Sequence, residues 1–372
     1  MTERRVPYSY LAAQFKNPEK LFGAIKRVVE RGDFTLGQEV AILEKKAASI
    51  CNTKFAVGVN SGTDALFLIL KALNIGLGDE VITAPNSFLA TTGAIVQTGG
   101  VPIYVDVLDT YMMNPALIED KITPRTKAIM PVHLTGCPAD MDPILEIARK
   151  HNLFVIEDAA QAIGAKYKAK PVGSMGIAAG FSFHPLKNIN GWGDGGMITT
   201  NSEELYEKLK LLRNHGLKDR DHCVFFAYNA RLDTIQAAII LELIDHLPTI
   251  TEKRISLAKI YDQALSTIGP DVRVPPRSSE IRQVFHTYVI QVTSREELMK
   301  YLLDHGIETK IHYPMPIHLQ EAAKKYGYHL GDFPVCEKQA AQIITLPLNQ
   351  HLTEEDVFTV CDRVRSFYHK HQ

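Results

Sequence analysis

A lysine that follows a short apolar run and precedes a glycine-rich stretch can be held close to backbone and away from bulk water. There its amine gives up its charge more readily and becomes a nucleophile toward an aldehyde. Lys187 has that setting, within GFSFHPLKNINGWGDGG (180–196). Taken alone it reads as a solvated surface lysine, by far the commoner fate of this residue. A second chemical segment is VIEDAAQ, where an apolar run ends on Glu157 and Asp158 and Gln161 follows three residues later. If 159–163 begins a helix, Asp158 and Gln161 share one side of it at the carboxyl edge of a sheet, where ligands of α/β proteins bind. The alternative makes Asp158 only the N-cap of that helix. A third segment is NSGTDALFLIL (60–70), a turn of small residues leading into an amphipathic helix. The unpaired N–H groups and positive dipole end of such a helix make a phosphate cradle. Ser61 or Thr63 as an ordinary cap accounts for the same residues.

Other signatures are absent. GWGDGG is not a dinucleotide fingerprint, because MITT after it reads as a strand whereas that fingerprint opens a helix. Neither GxxxxGK[ST] nor HExxH occurs, and the 14 histidines show no metal-ligand spacing; prolines separate His312 from His318.

The elements that would position these residues alternate along the chain. FAVGV (55–59), EVITAP (80–85), VPIYVDV (101–107), KAIMPVHL (127–134), LFVIED (153–158), GFSFH (180–184) and GMITT (196–200) read as strands. Several are apolar throughout, as strands covered on both faces are. TDALFLILKALN, PALIEDKI and MDPILEIARKH between them have helical spacing, and 203–216 reads as a helix closed by Gly216. Strands alternating with helices predict an α/β domain around a mostly parallel sheet. Beyond Arg231 a helix pair interrupted at Pro248 is followed by FHTYVIQV, REELMKYLLDHGIE and TKIHY, a strand-helix-strand rhythm, and by a final helix through EEDVFTVCDRVRSFYHKH. The expected division is a large domain over 1–245 and a smaller α+β domain over 246–372.

With 372 residues the chain has room for two lobes. Its 45% hydrophobic and 22% charged content and formal charge of −1 give no basic surface for nucleic acid or an anionic membrane. The N-terminus lacks the apolar core of a signal peptide, and no run of about 18 apolar residues suggests a spanning helix. Five scattered cysteines without a CxxC pair suit a reducing compartment, so a cytoplasmic protein is expected.

Taken together, GDFTLGQEVAILEKKAA, NSGTDAL, GDEVITAPNSFLAT, TPRTKAIMPVHLTG, VIEDAAQAIGA, FSFHPLKNINGWGDGGMITT, RNHG, YNARLDTIQAA and IHYPMP stand in one order along nearly the whole chain. In this the chain resembles the DegT/DnrJ/StrS sugar aminotransferases, among the fold type I pyridoxal-phosphate enzymes. The resemblance implies a large domain with a mostly parallel seven-stranded sheet flanked by helices, a smaller C-terminal domain, and pyridoxal 5'-phosphate as cofactor. It implies Lys187 as the Schiff-base lysine and Asp158 as partner of the pyridine nitrogen, keeping the ring protonated and electron-accepting. Gln161 matches a residue against the ring, Phe88 an aromatic stacked on it, and Gly62, Thr63 and Ser182 phosphate ligands. Asn229 matches a phosphate ligand from the neighbouring subunit and Arg231 a residue holding the donor's carboxylate, so a homodimer with shared sites is implied. His312 and Tyr313 match the loop bordering the sugar. The implied reaction is a ping-pong transfer from L-glutamate to a keto-sugar, nucleotide-linked, with GDGG resembling members that act at the 3-position rather than the 4-position. Trp192 departs from the small or aliphatic residue of many relatives, so an unusually shaped acceptor site is expected. A dehydratase or lyase using the same cofactor, or a non-catalytic cofactor-binding regulator, are the competing readings.

Overall fold

The computed structural model describes residues 5–369. Seven strands form one sheet: Phe55–Val59, Glu80–Thr83, Val101–Tyr104, Thr126–Ile129, Phe154–Asp158, Ala178–Ser182 and Gly196–Thr200. Each falls within or overlaps a run that reads as a strand in the sequence. Their order in space is 55–59, 196–200, 178–182, 154–158, 126–129, 80–83, 101–104. Gly196–Thr200 alone opposes its neighbours; the rest share one direction. Alternate side chains enter different cores. Val57, Val81, Ala128 and Ile156 pack with the helix Gly62–Ala72, whereas Ala56, Ile82, Ile129 and Val155 belong to cores formed by other elements. With both faces covered, neither side of these strands needs to be polar.

The helix Gly62–Ala72 is buried from Ala65 through Leu70 and again at Ala72. It lies against the sheet and the helices Leu89–Gln97 and Glu203–Arg213. Gly180 permits this approach, since a Cβ there would stand 2.9 Å from Leu66 Cδ2. The break between Thr234–Ile244 and Leu247–Leu265 falls at Pro248, which sits in the first turn of the second helix, where its missing N–H costs nothing. The C-terminal part forms a three-stranded antiparallel sheet of Val272–Arg273, Tyr288–Val292 and Ile343–Leu346. Helices Leu247–Leu265, Arg295–Asp304 and Glu354–His369 share its core, which also takes in Val6, whose backbone bridges to Ile307.

Four local expectations are corrected. PALIEDKI is not an α-helix but two 3₁₀ turns, Pro115–Leu117 and Glu119–Lys121, in which only Ile118 is buried, too little apolar surface to hold a longer helix. Residues 159–163 make tight turns, Ala162 N to Ala159 O and Ala165 N to Ala162 O, and Gly164 at φ +82° turns the chain away before a helix forms. The helix from Glu203 stops at Arg213 with Asn214 as its cap; Gly216 instead lets the chain pass the Phe225 carbonyl, with which a Cβ would collide. TKIHY contributes only a bridge from Lys310 to Thr345, made on the edge of Ile343–Leu346 away from Tyr288–Val292. The final helix is described to His369; Lys370 and His371 lie outside the described residues. Among the described residues no helix is long and apolar enough to cross a membrane, and all five cysteines are free.

Glu157 anchors the underside of the central strand. Fully buried, it accepts hydrogen bonds from His133 Nε2 (3.1 Å), Gly173 N (2.9 Å), Met175 N (2.8 Å) and Gly176 N (2.8 Å). Ala139 N donates to His133 Nδ1, which leaves the ring proton on Nε2 for Glu157. Burial alone would raise the Glu157 pKa, but these donors outweigh it and hold the carboxyl below its ordinary value. A depressed carboxylate contributes stability above its unfolded pKa that is lost as pH falls through the folded one. Glu157→Ala, which strands these donors, is expected to cost about 3 kcal/mol or more at neutral pH. Urea unfolding of the variant should show a correspondingly lower midpoint, with the difference narrowing under acid conditions.

Candidate active site

The strands that share one direction deliver their carboxyl ends to one edge of the sheet, as ligand sites of open α/β sheets require. Phe55–Val59 leads to Ser61, Gly62 and Thr63; Glu80–Thr83 to Ser87, Phe88 and Thr91; Thr126–Ile129 to Val132. Phe154–Asp158 ends on Asp158 with Gln161 beyond, and Ala178–Ser182 leads through His184 to Lys187. All of these line one cavity of about 330 Å³. Asp194, ahead of the opposed strand Gly196–Thr200, joins them from the same edge.

The loop carrying Lys187 is pinned along its length. Phe183 N donates to Gly195 O and Gly191 N to Phe183 O, both at 2.8 Å. Asn188 Nδ2 donates to Val284 O (3.0 Å), Asn190 Nδ2 to Lys187 O (3.2 Å), and Tyr10 OH to Lys187 O (2.8 Å). Lys187 keeps some accessible surface through the cavity, yet its amine is enclosed by protein. Burial lowers its pKa to about 8, against the opposing pull of the Asp158 carboxylate.

Asp158 is buried at 4% exposure. Its Oδ2 accepts from Thr91 Oγ1 at 2.6 Å and its Oδ1 from Ala160 N at 3.2 Å. Burial raises its pKa, and Thr91, Ala160 and Lys187 offset only part of the effect. Thr91 is itself steadied by Ser87, 2.6 Å away. At the helix start, Ser61 Oγ accepts from Asp64 N (3.0 Å) and donates to Asp64 Oδ2 (2.8 Å), so Ser61 is the cap. With Asp64 N taken by Ser61, the N–H groups of Gly62 and Thr63 are the ones left over by the helix itself. A Cβ at Gly62 would lie 2.8 Å from Ser182 Cβ, so only glycine lets the helix start sit this close to the strand end.

Gln161 Oε1 accepts from Thr135 N (2.6 Å) and its Nε2 donates to Tyr313 OH (3.4 Å). Phe88 is half-exposed, its ring 5.5 Å from that of Tyr313. His312 Nδ1 faces Thr345 Oγ1 at 3.0 Å, and burial, helped by Lys187 and Lys310, pushes its pKa down to about 4. Burial and Lys187 likewise depress His184 and, more strongly, His286. The cavity thus holds its imidazoles neutral around one amine.

Of the eleven site residues expected from the sequence, nine line this cavity: Gly62, Thr63, Phe88, Asp158, Gln161, Ser182, Lys187, His312 and Tyr313. Asn229 and Arg231 do not. Asn229 bridges to Asn214, and Arg231 Nη1 donates to Asn214 Oδ1 at 2.9 Å. Trp192, expected to shape the acceptor site, is absent from the lining; it packs edge-on against Phe15 and Phe22, both at 5.6 Å. Tyr8, Tyr10, Ser87, Thr91, His184, Asp194 and His286 also line the cavity but went unassigned. Thr91, four residues after Ser87 at a helix start, carried a weak signal; Tyr8 and Tyr10 carried none.

Residues 16–365 match the sequence profile described as the DegT/DnrJ/EryC1/StrS aminotransferase family. The chain belongs to that family. A "Pleiotropic regulatory protein" of Geobacillus stearothermophilus is 42% identical over 98% of this chain and 98% of its own length. The dTDP-3-amino-3,6-dideoxy-alpha-D-galactopyranose transaminase of Aneurinibacillus thermoaerophilus is 43% identical over 92% of this chain and 94% of its own. DesV of S. venezuelae, solved in complex with a ketimine intermediate, superposes with a TM-score of 0.95 at 39% identity, covering 98% of each chain. Solved neighbours of 28% identity include PLP- and PMP-forms of Spr1654 from Streptococcus pneumoniae.

Two expectations follow for this family member without cofactor. An amine reagent such as trinitrobenzenesulfonate should label Lys187 with a rate that rises with pH and reaches half its limit at about 8, because only the neutral amine reacts; an ordinary lysine titrates near 10.4. Peptide mapping over a pH series reads the midpoint. Asp158→Asn should raise the apo-protein's melting temperature at neutral pH. A carboxyl whose folded pKa is raised costs stability once ionised, and the cost vanishes below the unfolded value near 3.9. The gain should therefore shrink as pH falls toward that value.

Proposed function

We propose that this aminotransferase is pyridoxal-5'-phosphate-dependent and moves the amino group of L-glutamate to C3 of a nucleotide-linked keto-sugar. The observation that carries this is an enclosed amine of lowered pKa, Lys187, sharing a preformed cavity with the buried carboxyl of Asp158. The cofactor fits the residues present. The helix start at Gly62 and Thr63, with Ser182, supports a phosphate end, and Asp158 supports a ring nitrogen whose positive charge would offset the burial that now raises its pKa. When bound, the cofactor supplies a conjugated ring that accepts the electron pair left when a proton leaves the amino-bearing carbon.

The chain's own groups supply the rest. Lys187 Nζ would hold the cofactor's aldehyde and, once free and neutral, take a proton and return it. Phe88 and Gln161 would bracket the ring, and His312 and Tyr313 would border the sugar. Asn229 and Arg231 would act from the neighbouring subunit of a homodimer, Asn229 on the phosphate and Arg231 on the glutamate carboxylate. Support comes from their position outside their own chain's cavity, next to a segment bearing the exposed Val224 and Phe226. The 3-position is supported by the reaction named for the Aneurinibacillus relative. Five free cysteines support placement in a reducing cytoplasm.

Purified holoenzyme should convert L-glutamate to 2-oxoglutarate before any sugar binds, giving parallel double-reciprocal lines when both substrates are varied. A screen of 3-keto against 4-keto nucleotide sugars should favour the former. Lys187→Ala should abolish turnover while leaving the far-UV spectrum unchanged; transfer at the wild-type rate by this variant would overturn the reading. Dehydration of the sugar without 2-oxoglutarate release would replace it with a lyase.

A further inference from the structure

Arg254, on the helix Leu247–Leu265, heads the largest fully buried side chains and forms no ion pair with a carboxylate among the described residues. Its guanidinium is satisfied by neutral oxygens instead. Nη1 donates to the carbonyls of Phe285 (3.1 Å), His286 (3.3 Å) and Leu348 (3.1 Å), while Nε and Nη2 donate to Gln350 Oε1 (3.2 and 3.0 Å). The cation also lies over the Tyr10 ring, 5.3 Å from its centroid. Burying a charge without a counter-ion is costly, and an apolar side chain of similar volume would fill a core more cheaply. What the guanidinium adds is connection.

Two routes run from it to the same carbonyl. In the first, Tyr10, held under the cation, donates through its hydroxyl to Lys187 O (2.8 Å) and Leu186 O (3.3 Å). In the second, Gln350 Nε2 donates to Gln14 Oε1 (2.9 Å), Gln14 Nε2 to Asn190 Oδ1 (2.8 Å), and Asn190 Nδ2 to Lys187 O (3.2 Å) and Pro185 O (2.5 Å). A shorter link ends at His286, whose carbonyl Arg254 holds and whose side chain lines the cavity. We infer that Arg254 is a positioning residue that fixes the backbone of Lys187, through Tyr10 and through Gln350, Gln14 and Asn190, so that the amine stands at one place in the cavity. The inference rests on Lys187 being the reacting amine. The need is general: an error of about 1 Å in a reacting group costs on the order of 100-fold in rate.

The test uses holoenzyme and L-glutamate alone, following the donor half-reaction by single-turnover absorbance. Tyr10→Phe and Gln14→Ala should each slow the saturated rate several-fold while the half-saturating glutamate concentration stays within about twofold. Because the routes converge, the double variant should lose more than the product of the single losses. Arg254→Met should lose about 100-fold, Arg254→Lys should recover part of it by keeping the charge over Tyr10, and Tyr10→Phe should add nothing in the Arg254→Met background. A folded, cofactor-loaded Arg254→Met protein with the wild-type rate would overturn the inference. If that variant does not fold, a wild-type rate in the Tyr10→Phe/Gln14→Ala protein overturns it equally.

A second readout needs no cofactor. Trinitrobenzenesulfonate labelling of Lys187 should shift its midpoint upward in the double variant as the loosened amine gains water; of the titratable groups lining the cavity with it, Asp158, Asp194, His184, His286, His312, Tyr8 and Tyr313 are unchanged in sequence and only Tyr10 loses its hydroxyl. An unmoved midpoint counts against the positioning role. Wild-type holoenzyme that ignores glutamate would sink the proposed function, and the Lys187 labelling midpoint of the Arg254→Met protein, shifted or unmoved, would then decide the role of Arg254.

Discussion

An amine and a carboxyl enclosed together, each short of the partners that would satisfy it, is the constraint around which this fold is arranged. Lys187 and Asp158 attract one another, yet burial wins at both: the amine is lowered to about 8 and the carboxyl raised. Neither shift would persist if the two formed a well-made ion pair, which would move them the other way. A pair left in this condition is spare binding capacity, and perturbed groups of this kind gather where chemistry is done. The cost is carried by the cores on both faces of the sheet and by a helix buried along most of its length.

The central strand shows how the fold divides structural charge from reserved charge. Glu157 and Asp158 are neighbours in sequence and nearly equal in burial, but they project to opposite sides of the strand. Glu157 meets an imidazole and three backbone N–H groups and is held ionised. Asp158 meets one hydroxyl and one N–H, and its remaining capacity faces the cavity. Donor supply, more than burial, separates the two. The turns at 159–165 serve the same end, because Ala160 N can reach back to Asp158 Oδ1 only where the chain folds tightly after the strand.

This contrast also explains how far the sequence could be read. The strands were legible because burial on both faces leaves an apolar run, and Lys187, Asp158 and the Gly62 helix start were legible because each sits where such a run ends. The turn at 159–163 was not, since Ala-Ala-Gln-Ala favours a helix locally and only Gly164 and the onward path of the chain forbid it. PALIEDKI failed for a related reason: its spacing is helical, but little covers it. Tyr10 was illegible in another way. Its partner Lys187 is 177 residues distant, and no local pattern encodes a contact of that span. Arg254 stands in a run of helix-forming residues that carries no local sign of its burial, because its acceptors come from 285–286, 348 and 350.

Those long connections bear on how the amine keeps its place. The segment from Val6 to Gln14 touches the C-terminal core at Val6, the Arg254 cation at Tyr10, and Gln350 and Asn190 at Gln14. It therefore joins the core around Tyr288–Val292 to the loop that carries Lys187. The loop is also tied to the large sheet at Phe183 and Gly195 and to Val284 through Asn188. A loop bonded from three directions cannot shift toward one without straining its bonds to the others. The rigidity that keeps an enclosed amine from finding water is thus a property of the whole chain, and the glycines of the motif alone would not supply it.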